Sequence, residues 1–404
     1  MHLFNSTFRE NSPIIKRVTQ QQSSYVGQAL PTHIMNGGYV MKIGVPTEIK
    51  VHEKRVGLVP NSVSELSQAG HDVLIQAGAG AGISASDADY AAAGAKIVPD
   101  AATVFADADM IVKVKEPQKS EYAQLSANQI LFTYLHLAAD EQQAIGLMSS
   151  GCTAIAYETI TDAQGGLPLL APMSEVAGRL SVIEGAAHLS AHQGGRGVLI
   201  SGVPGVDPAD IVIIGGGVVG TNAAKMAVGM GAKVIIFDRS LARLRYLDDL
   251  FGGAVTTRYS TAETLRKAVS RADMVVGAVL IPGASAPKLI QRSMLADMKT
   301  GSVLVDVAID QGGCAETSRP TTHEDPTYVI DGVVHYCVAN MPGAMPRTSS
   351  EALNNATLPH VMALANKGIA ALDDDEHLAR GLNVNKGELV HPAVKEALSS
   401  LSAA

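Results

Sequence analysis

The sequence predicts an α/β chain of two doubly wound, parallel-sheet domains flanking a central cleft, and three observations carry that prediction. First, Ile211-Val212-Ile213-Ile214 runs directly into Gly215-Gly216-Gly217-Val218-Val219-Gly220. A helical stretch, a second apolar run from Val234 to Phe237 and then Asp238 follow. Strand, glycine turn, helix, strand and acid is the sequence form of a Rossmann-like βαβ unit. Second, from Met41 to about Ala156 short apolar runs of strand length alternate with helix-like stretches. Third, the chain turns helical again from Ser350 and is expected to cross back and complete the first domain, so that two crossings frame the cleft.

A length of 404 residues suits two domains. The chain is 47% apolar, yet no twenty-residue apolar run is free of breakers, so no transmembrane helix is expected. A net charge of −8 with no basic block argues against a nucleic-acid or anionic-membrane surface. The 3 cysteines, Cys152, Cys314 and Cys337, are odd in number, far apart and without metal-ligand spacing; reduced thiols in a cytoplasm fit them best, and no metal is expected. Trp is absent, so the core is built from Val, Ile, Leu, Ala and Met.

The elements follow in order. Residues 1–40 are polar and aperiodic and are expected to be disordered; Arg9, Lys16 and Arg17 have the look of a targeting peptide, but no apolar segment follows them. A sharper expectation is that these residues are not translated. The Gly37-Gly38 codons can spell a bacterial ribosome-binding sequence just ahead of Met41, which opens the first strand. Lys42 to Val45 reads as a strand. Asn61 to Ala69 reads as a helix, with Pro60 before it, a Ser62/Glu65 capping box and Gly70 as its stop. Asp72 to Gln76, Lys96 to Val98, Met110 to Val114, Ile130 to Tyr134 and Thr153 to Ala156 read as strands, and Ser86 to Ala93 and Asp140 to Ser149 as helices. A long helix from about Met173 to Ala191 precedes a Gly/Pro-rich loop. The second domain then carries strands at Ile211, Val234, Met274 and Val303, and one at Tyr336 to Val338. The expected division is 41–170 plus 347–404 for a substrate domain and 171–346 for a nucleotide domain.

In the glycine turn, Gly215 permits a tight bend, Gly217 lets backbone approach a pyrophosphate, and Gly220 lets helix and strand sit close. The helix N-terminus offers N–H groups to phosphates. Asp238 stands where an acid accepts the adenine-ribose hydroxyls and repels a 2′-phosphate, which favours NAD over NADP.

Ligands of parallel sheets gather at the carboxyl ends of strands. The polar residues just past strand ends are Arg55, Lys115 and His136 in the first domain, and Asp310 and Asn340 in the second. A guanidinium, an ammonium, an imidazole, a carboxylate and an amide suit a small carboxylate substrate undergoing hydride transfer. Each also has a plainer reading. Arg55 sits in a charged stretch that fits a solvated loop, and Lys115 reads equally as a snorkelling side chain. His136, between Leu135 and Leu137, reads equally as a core histidine. Asp310 and Asn340 fit turns, and Ser260 fits a helix cap first and a ribose contact second.

From Met41 to about Gly381 the chain resembles the NAD-dependent L-alanine dehydrogenases, a family related to the α subunit of proton-translocating transhydrogenase. The stretches that carry the resemblance are Ile43-Gly44-Val45-Pro46-Thr47-Glu48, Glu53-Lys54-Arg55-Val56, Lys113-Val114-Lys115-Glu116-Pro117, Tyr134-Leu135-His136-Leu137-Ala138, Ala171 through Arg179, Asp310-Gln311-Gly312-Gly313 and Val338-Ala339-Asn340-Met341-Pro342. The resemblance implies that Arg55 and Lys115 hold pyruvate or alanine, the former by a two-pronged contact, that His136 is the general acid/base, and that Asp310 helps activate water. It implies an NAD site lined by Ser174, Val218, Val219, Asp238, Arg243 and Ser260 on one side. Val279, Leu280, Val307, Ala308, Ile309, Asp310, Arg319 and the Val338-Ala339-Asn340-Met341 run line the other. It also implies a homohexamer, with the long helix near Met173 as a candidate subunit contact unless that helix packs between domains. A transhydrogenase α-type protein, another amino-acid or opine-type dehydrogenase, and a non-enzymatic NAD-binding domain are the rival readings.

Overall fold

The computed structural model describes residues 34–35, 38–279 and 286–399. Met1–Val40 and Met41–Ala404 form separate compact units. In the first, Ile34–Met35 and Gly38–Tyr39 pair antiparallel, with Ile34 opposite Tyr39. Residues 1–33 lie outside the described residues.

The second unit contains two sheets. The first takes β1 (Lys42–Val45), β2 (Asp72–Gln76), β3 (Lys96–Val98), β4 (Met110–Val112), β5 (Ile130–Thr133) and β6 (Thr153–Ala156). The second takes β7 (Asp210–Ile214), β8 (Lys233–Asp238), β9 (Val255–Tyr259), β10 (Met274–Gly277), β11 (Val303–Asp306), β12 (Thr327–Ile330) and β13 (Val333–Tyr336). The chain then returns to the first sheet with β14 (Leu382–Asn385) and β15 (Glu388–Leu389). The orders are β15-β14-β6-β5-β4-β1-β2-β3 and β9-β8-β7-β10-β11-β13-β12. Among the described residues of these two sheets, the antiparallel pairings are β6 with β14, β14 with β15 and β13 with β12, each at one end of a sheet.

Parallel strands covered on both faces read as continuous apolar runs, and β7 and β10 do so: Ile211 through Ile214 and Met274 through Val276 are buried. At Gly44 in β1 a Cβ would lie 2.7 Å from both Ala108 and Val104, so the helix Ala101–Asp107 presses directly on the strand. Sequence periodicity misses that seven-residue helix; its start is fixed by Asp100, whose carboxylate accepts the Thr103 N–H at 2.8 Å.

The strand order reverses between β4 and β1 in one sheet and between β7 and β10 in the other. Connections leave these neighbours in opposite directions and open a crevice at the carboxyl ends. Arg55 follows β1 and Lys115 follows β4; the glycine turn follows β7 and Val279 follows β10. Both candidate regions thus lie at switch points.

Three local expectations are corrected. The helix at Pro60–Gln68 has Val59 as N-cap with no side-chain cap, and Ser62 is buried, so the Ser62/Glu65 box does not form. Pro60 at the first turn, with its fixed φ, starts the helix instead. The helix after β9 is capped by Thr261, which accepts the Thr264 N–H, and not by Ser260. The long helix spans Ala171–His188 and turns most of its apolar residues inward: Leu180 and Val182 are buried, while Ile183 is exposed. It packs on the helix Val218–Gly229 so closely that a Cβ at Gly178 would lie 2.2 Å from the Val219 carbonyl oxygen. Most of this helix packs within the chain. Among the described residues no helix is long and apolar enough to cross a membrane.

Candidate active site

The glycine turn brings strand and helix together and leaves the helix N-terminus open. Gly215 has φ +101°, a conformation open to glycine, and a Cβ there would meet the Ala278 carbonyl oxygen at 2.7 Å. A Cβ on Gly220 would lie 1.8 Å from the Gly215 oxygen, so only glycine allows this strand-to-helix approach. At Gly217 a Cβ would meet nothing within 4 Å: the space above the turn is open. Gly217 is the N-cap of the helix Val218–Gly229, and no side chain caps that end. Uncapped N–H groups facing open space are a natural seat for an anion.

The acid at the end of β8 braces this turn. Asp238 accepts the Gly216 N–H at 2.8 Å through one oxygen and the Ser240 N–H at 2.8 Å through the other. Ser260 donates its backbone N–H to the Asp238 carbonyl oxygen at 3.0 Å, which brings the two residues together, and its hydroxyl is not committed to a cap. Arg243 donates to the Gly216 oxygen and to Thr221 Oγ1 and lies over the Tyr246 ring. Val218 is exposed and Val219 half-buried beside the turn, and Val279 follows β10 next to Gly215. Leu280 lies outside the described residues.

On the far side, the buried Asp306 ends β11 and organises the following loop. It accepts the N–H groups of Ala308, Cys314 and Ala315 and the Ser318 hydroxyl. These bonds hold the tight turn Val307–Gln311, in which Val307 and Ala308 are half-buried, Ile309 is buried and Asp310 is exposed. Arg319 is exposed and stacks on Tyr328 at 4.1 Å. Val338 forms a parallel bridge with Thr321 and is buried, as is Met341; Ala339 and Asn340 between them are half-buried, with Asn340 in the left-handed conformation at φ +59°.

The first domain supplies the cations. Arg55 is buried, and its guanidinium makes four hydrogen bonds to three residues. Nε and Nη2 both donate to Glu53, Nη2 also to Asn340 Oδ1 at 2.8 Å, and Nη1 to the Met173 sulfur at 2.9 Å. Asn340 Nδ2 in turn donates to Glu53 Oε2 at 3.1 Å. Ser174 adjoins Met173 in the first turn of its helix. Glu53 takes the Nε/Nη2 edge of Arg55, the edge expected to grip a substrate carboxylate, and Nη1 donates to Met173. Burial raises the Glu53 carboxyl, but the hydrogen bonds and charge of Arg55 outweigh it and hold the group at about 2.

Lys115 is half-buried, and burial lowers its pKa; Glu116 and Asp310 pull upward, Arg55 and Lys50 downward, and the net shift is down. Lys115 therefore feels Arg55 of its own domain and Asp310 of the other. Two residues earlier, Lys113 is fully buried between Glu48 at 3.0 Å and Glu121 at 2.8 Å. Glu48 also accepts the Val114 N–H at 2.6 Å, so this triad fixes the backbone that presents Lys115. His136 is not a core histidine. Its side chain is 46% exposed, its backbone is left-handed at φ +51°, and its ring stacks parallel on Tyr134 at 5.8 Å. Glu158, just past β6, accepts the His136 N–H at 2.6 Å and lies 3.8 Å from Nδ1.

The structure therefore links Arg55 directly to Asn340, and Lys115 electrostatically to Arg55 and Asp310. His136 joins through Tyr134, whose phenol feels the Arg55 charge. Sequence reasoning passed over Glu53, Glu158 and Met173. Glu158 had a legible signal, as a polar residue at a strand's carboxyl end; Glu53 had its opposite charge two residues from Arg55; Met173 had none.

The comparisons with known proteins agree with this geometry. Residues 44–177 match the alanine dehydrogenase/PNT N-terminal domain family and residues 181–392 the alanine dehydrogenase/PNT C-terminal domain family. The alanine dehydrogenase of Halomonas elongata is 62% identical over 88% of this chain and 96% of its own length. One from Mycobacterium tuberculosis is 56% identical over 88% and 96%. A solved L-alanine dehydrogenase superposes with a TM-score of 0.87 at 56% identity, covering 89% of this chain and 100% of that one. A transhydrogenase from Sinorhizobium meliloti shares the fold, with a TM-score of 0.76 at 24% identity. Both domains and nearly the whole length from Met41 onward thus have the same relatives, and the chain belongs to the alanine dehydrogenase/PNT family.

Proposed function

We propose that the protein catalyses the reversible, NAD-dependent oxidative deamination of L-alanine: L-alanine + NAD⁺ + water ⇌ pyruvate + NH₄⁺ + NADH + H⁺. The observation that carries this reading is the hydrogen bond from the buried Arg55 to Asn340, a residue of the domain that bears the glycine turn. A dehydrogenase needs a carboxylate anchor and a coenzyme seat facing one another, and this arrangement supplies both. Residues 41–170 with 347–404 are the substrate domain in this reading, and 171–346 the coenzyme domain.

Bound NAD supplies the two-electron oxidation. Asp238, Ser260 and Arg243 hold its adenosine end and the uncapped helix N-terminus its pyrophosphate. Val279, Val307 through Asp310, Arg319 and Val338 through Met341 would line the rest, with Ser174 across the cleft. Arg55 Nη1 and Lys115 hold the substrate carboxylate and so fix the direction of its Cα–H. His136 takes the proton from the alanine ammonium group, whose lone pair must be free before C–H cleavage. Lys115 stabilises negative charge on oxygen as water adds to the imine carbon, and Asp310 with His136 moves the water-derived protons. Closure of the two domains excludes bulk water.

We also infer a homo-oligomer, a hexamer by resemblance, in the cytoplasm. Exposed Leu199, Val203 and Val206 in the loop before β7 support a subunit contact; light scattering tests it. The test of the activity is NADH absorbance with pyruvate plus ammonium, glyoxylate plus ammonium, and lysine. Consumption of NADH with pyruvate plus ammonium, yielding L-alanine, is expected. Absence of turnover with every amine and oxo acid overturns the reading.

A further inference from the structure

Glu53 is the one carboxylate that shares hydrogen bonds with both Arg55 and Asn340. Its side chain is fully buried, and its two oxygens accept from Arg55 Nε at 2.7 Å, Arg55 Nη2 at 2.5 Å and Asn340 Nδ2 at 3.1 Å. Arg55 has five N–H donors in a planar fork. Glu53, Asn340 and Met173 engage four of them, and the donor left uncommitted by these contacts is on Nη1. The edge that would grip a carboxylate with two parallel bonds is therefore filled by the protein's own carboxylate.

The neighbouring cations are matched in the same way. Lys115 feels Glu116 and Asp310, and Lys50 contacts Glu116. An incoming acid meets one arginine donor and one lysine, not an unbalanced cluster of positive charge.

We propose that Glu53 determines substrate specificity: by occupying the Nε/Nη2 edge of Arg55 and cancelling its charge, it restricts the pocket to 2-oxo acids with a single carboxylate and turns away those with two. This deepens the proposed activity and rests on it. A second carboxylate needs a second seat of positive charge. The Arg55 fork is that seat, and Glu53 already fills it; a dicarboxylate would also come close to a fixed negative charge in a buried place, where like charges repel strongly.

Two experiments test this, both read as NADH oxidation in the presence of ammonium. The first uses the unaltered protein with oxaloacetate and with its neutral isostere, 2-oxosuccinamate, which differs only in replacing the second carboxylate by an amide. Charge exclusion predicts a kcat/KM for the amide at least tenfold above that for oxaloacetate. Equal values mean that size, not charge, decides, and overturn the proposal.

The second compares Glu53→Gln and Glu53→Asp by the ratio of kcat/KM for oxaloacetate to that for pyruvate. Removing the charge in Glu53→Gln frees the fork and raises the ratio at least tenfold, through KM. Keeping the charge in Glu53→Asp leaves the ratio within about threefold of the parent, even where both substrates bind more weakly. A ratio unmoved in Glu53→Gln, or moved equally in both variants, overturns the proposal. Turnover of pyruvate by the unaltered protein separates the two questions: if it is absent, the proposed activity fails, and if it is present with no shift in specificity, only the role of Glu53 fails.

Discussion

Arg55 and Asn340 stand 285 residues apart in the chain and share a hydrogen bond of 2.8 Å across the two domains. The bond runs from a buried guanidinium to the amide of a residue held left-handed just past a bridge to Thr321. It ties the proposed substrate anchor to the loop proposed to border the coenzyme. Replacing Asn340 by Ala removes an acceptor from Arg55 and a donor from Glu53 together. A hydrogen bond to a charged group contributes about 1.5–3 kcal/mol. The Asn340→Ala variant is expected to raise KM for pyruvate roughly tenfold or more, measured at saturating NADH. An unchanged KM argues against the link.

His136 carries the proton transfers in this account. Its strained backbone is held by Glu158 and its ring by Tyr134, so it is presented to the cleft without being buried. His136→Ala is expected to lower turnover by roughly two to four orders of magnitude, while NADH binding, followed by fluorescence titration, persists. Retained turnover removes the residue from the chemistry.

The lowered pKa of Lys115 sets an alkaline limit. Burial is its largest cause, and the net effect is a lysine that loses its proton below the ordinary 10.5. The charged form holds the substrate carboxylate, so binding is complete at neutral pH and is lost as pH rises through the lowered value. KM for pyruvate is expected to climb before pH 10.5 is reached. Lys115→Arg abolishes the climb because a guanidinium stays charged. The same climb in both proteins assigns it to another group.

Glu53 acts at the acid end. Its pKa is 4.5 unperturbed and about 2 in the folded protein. The folded value is the lower, so its contribution to stability is complete above pH 4.5 and is lost as pH falls through about 2. That contribution is on the order of 3 kcal/mol. Glu53→Gln is expected to be less stable at pH 7 and to lose less stability between pH 6 and pH 3, measured by denaturant unfolding at the two pH values. Parallel losses in both proteins contradict the assignment.

Asp238 braces the glycine turn through Gly216 and is the residue proposed to meet the adenine ribose. Asp238→Gly is expected to weaken NADH by about tenfold and to admit NADPH, since the charge that repels a 2′-phosphate is gone. Unaltered affinity for both coenzymes removes Asp238 from the adenosine end.

Much of this was legible in the sequence because strand ends of parallel sheets are where polar residues become ligands. Arg55, Lys115, His136, Asp310 and Asn340 each follow a short apolar run. The steric reasons read for the glycines at 215 and 220 match the close backbone a Cβ would meet there. The elements passed over were short or antiparallel: the helix Ala101–Asp107 and strands β12, β14 and β15 are too brief for periodicity to separate from loop. Ser260 and Thr261 offer nearly equivalent caps, and only the backbone bond from Ser260 to Asp238 decides between them. The partners of the site were less legible than its members. Glu158 reaches His136 from β6, and Met173 reaches Arg55 from a helix beginning 116 residues after it, contacts that tertiary folding alone creates.

The most direct test of the central claim is an experimental structure of the protein with NADH and pyruvate bound. The account predicts the pyruvate carboxylate within hydrogen-bond reach of Arg55 Nη1 and Lys115, the keto carbon against the nicotinamide ring and His136 beside the keto oxygen. Pyruvate bound away from Arg55 and Lys115, or a nicotinamide ring that does not face it, contradicts the account.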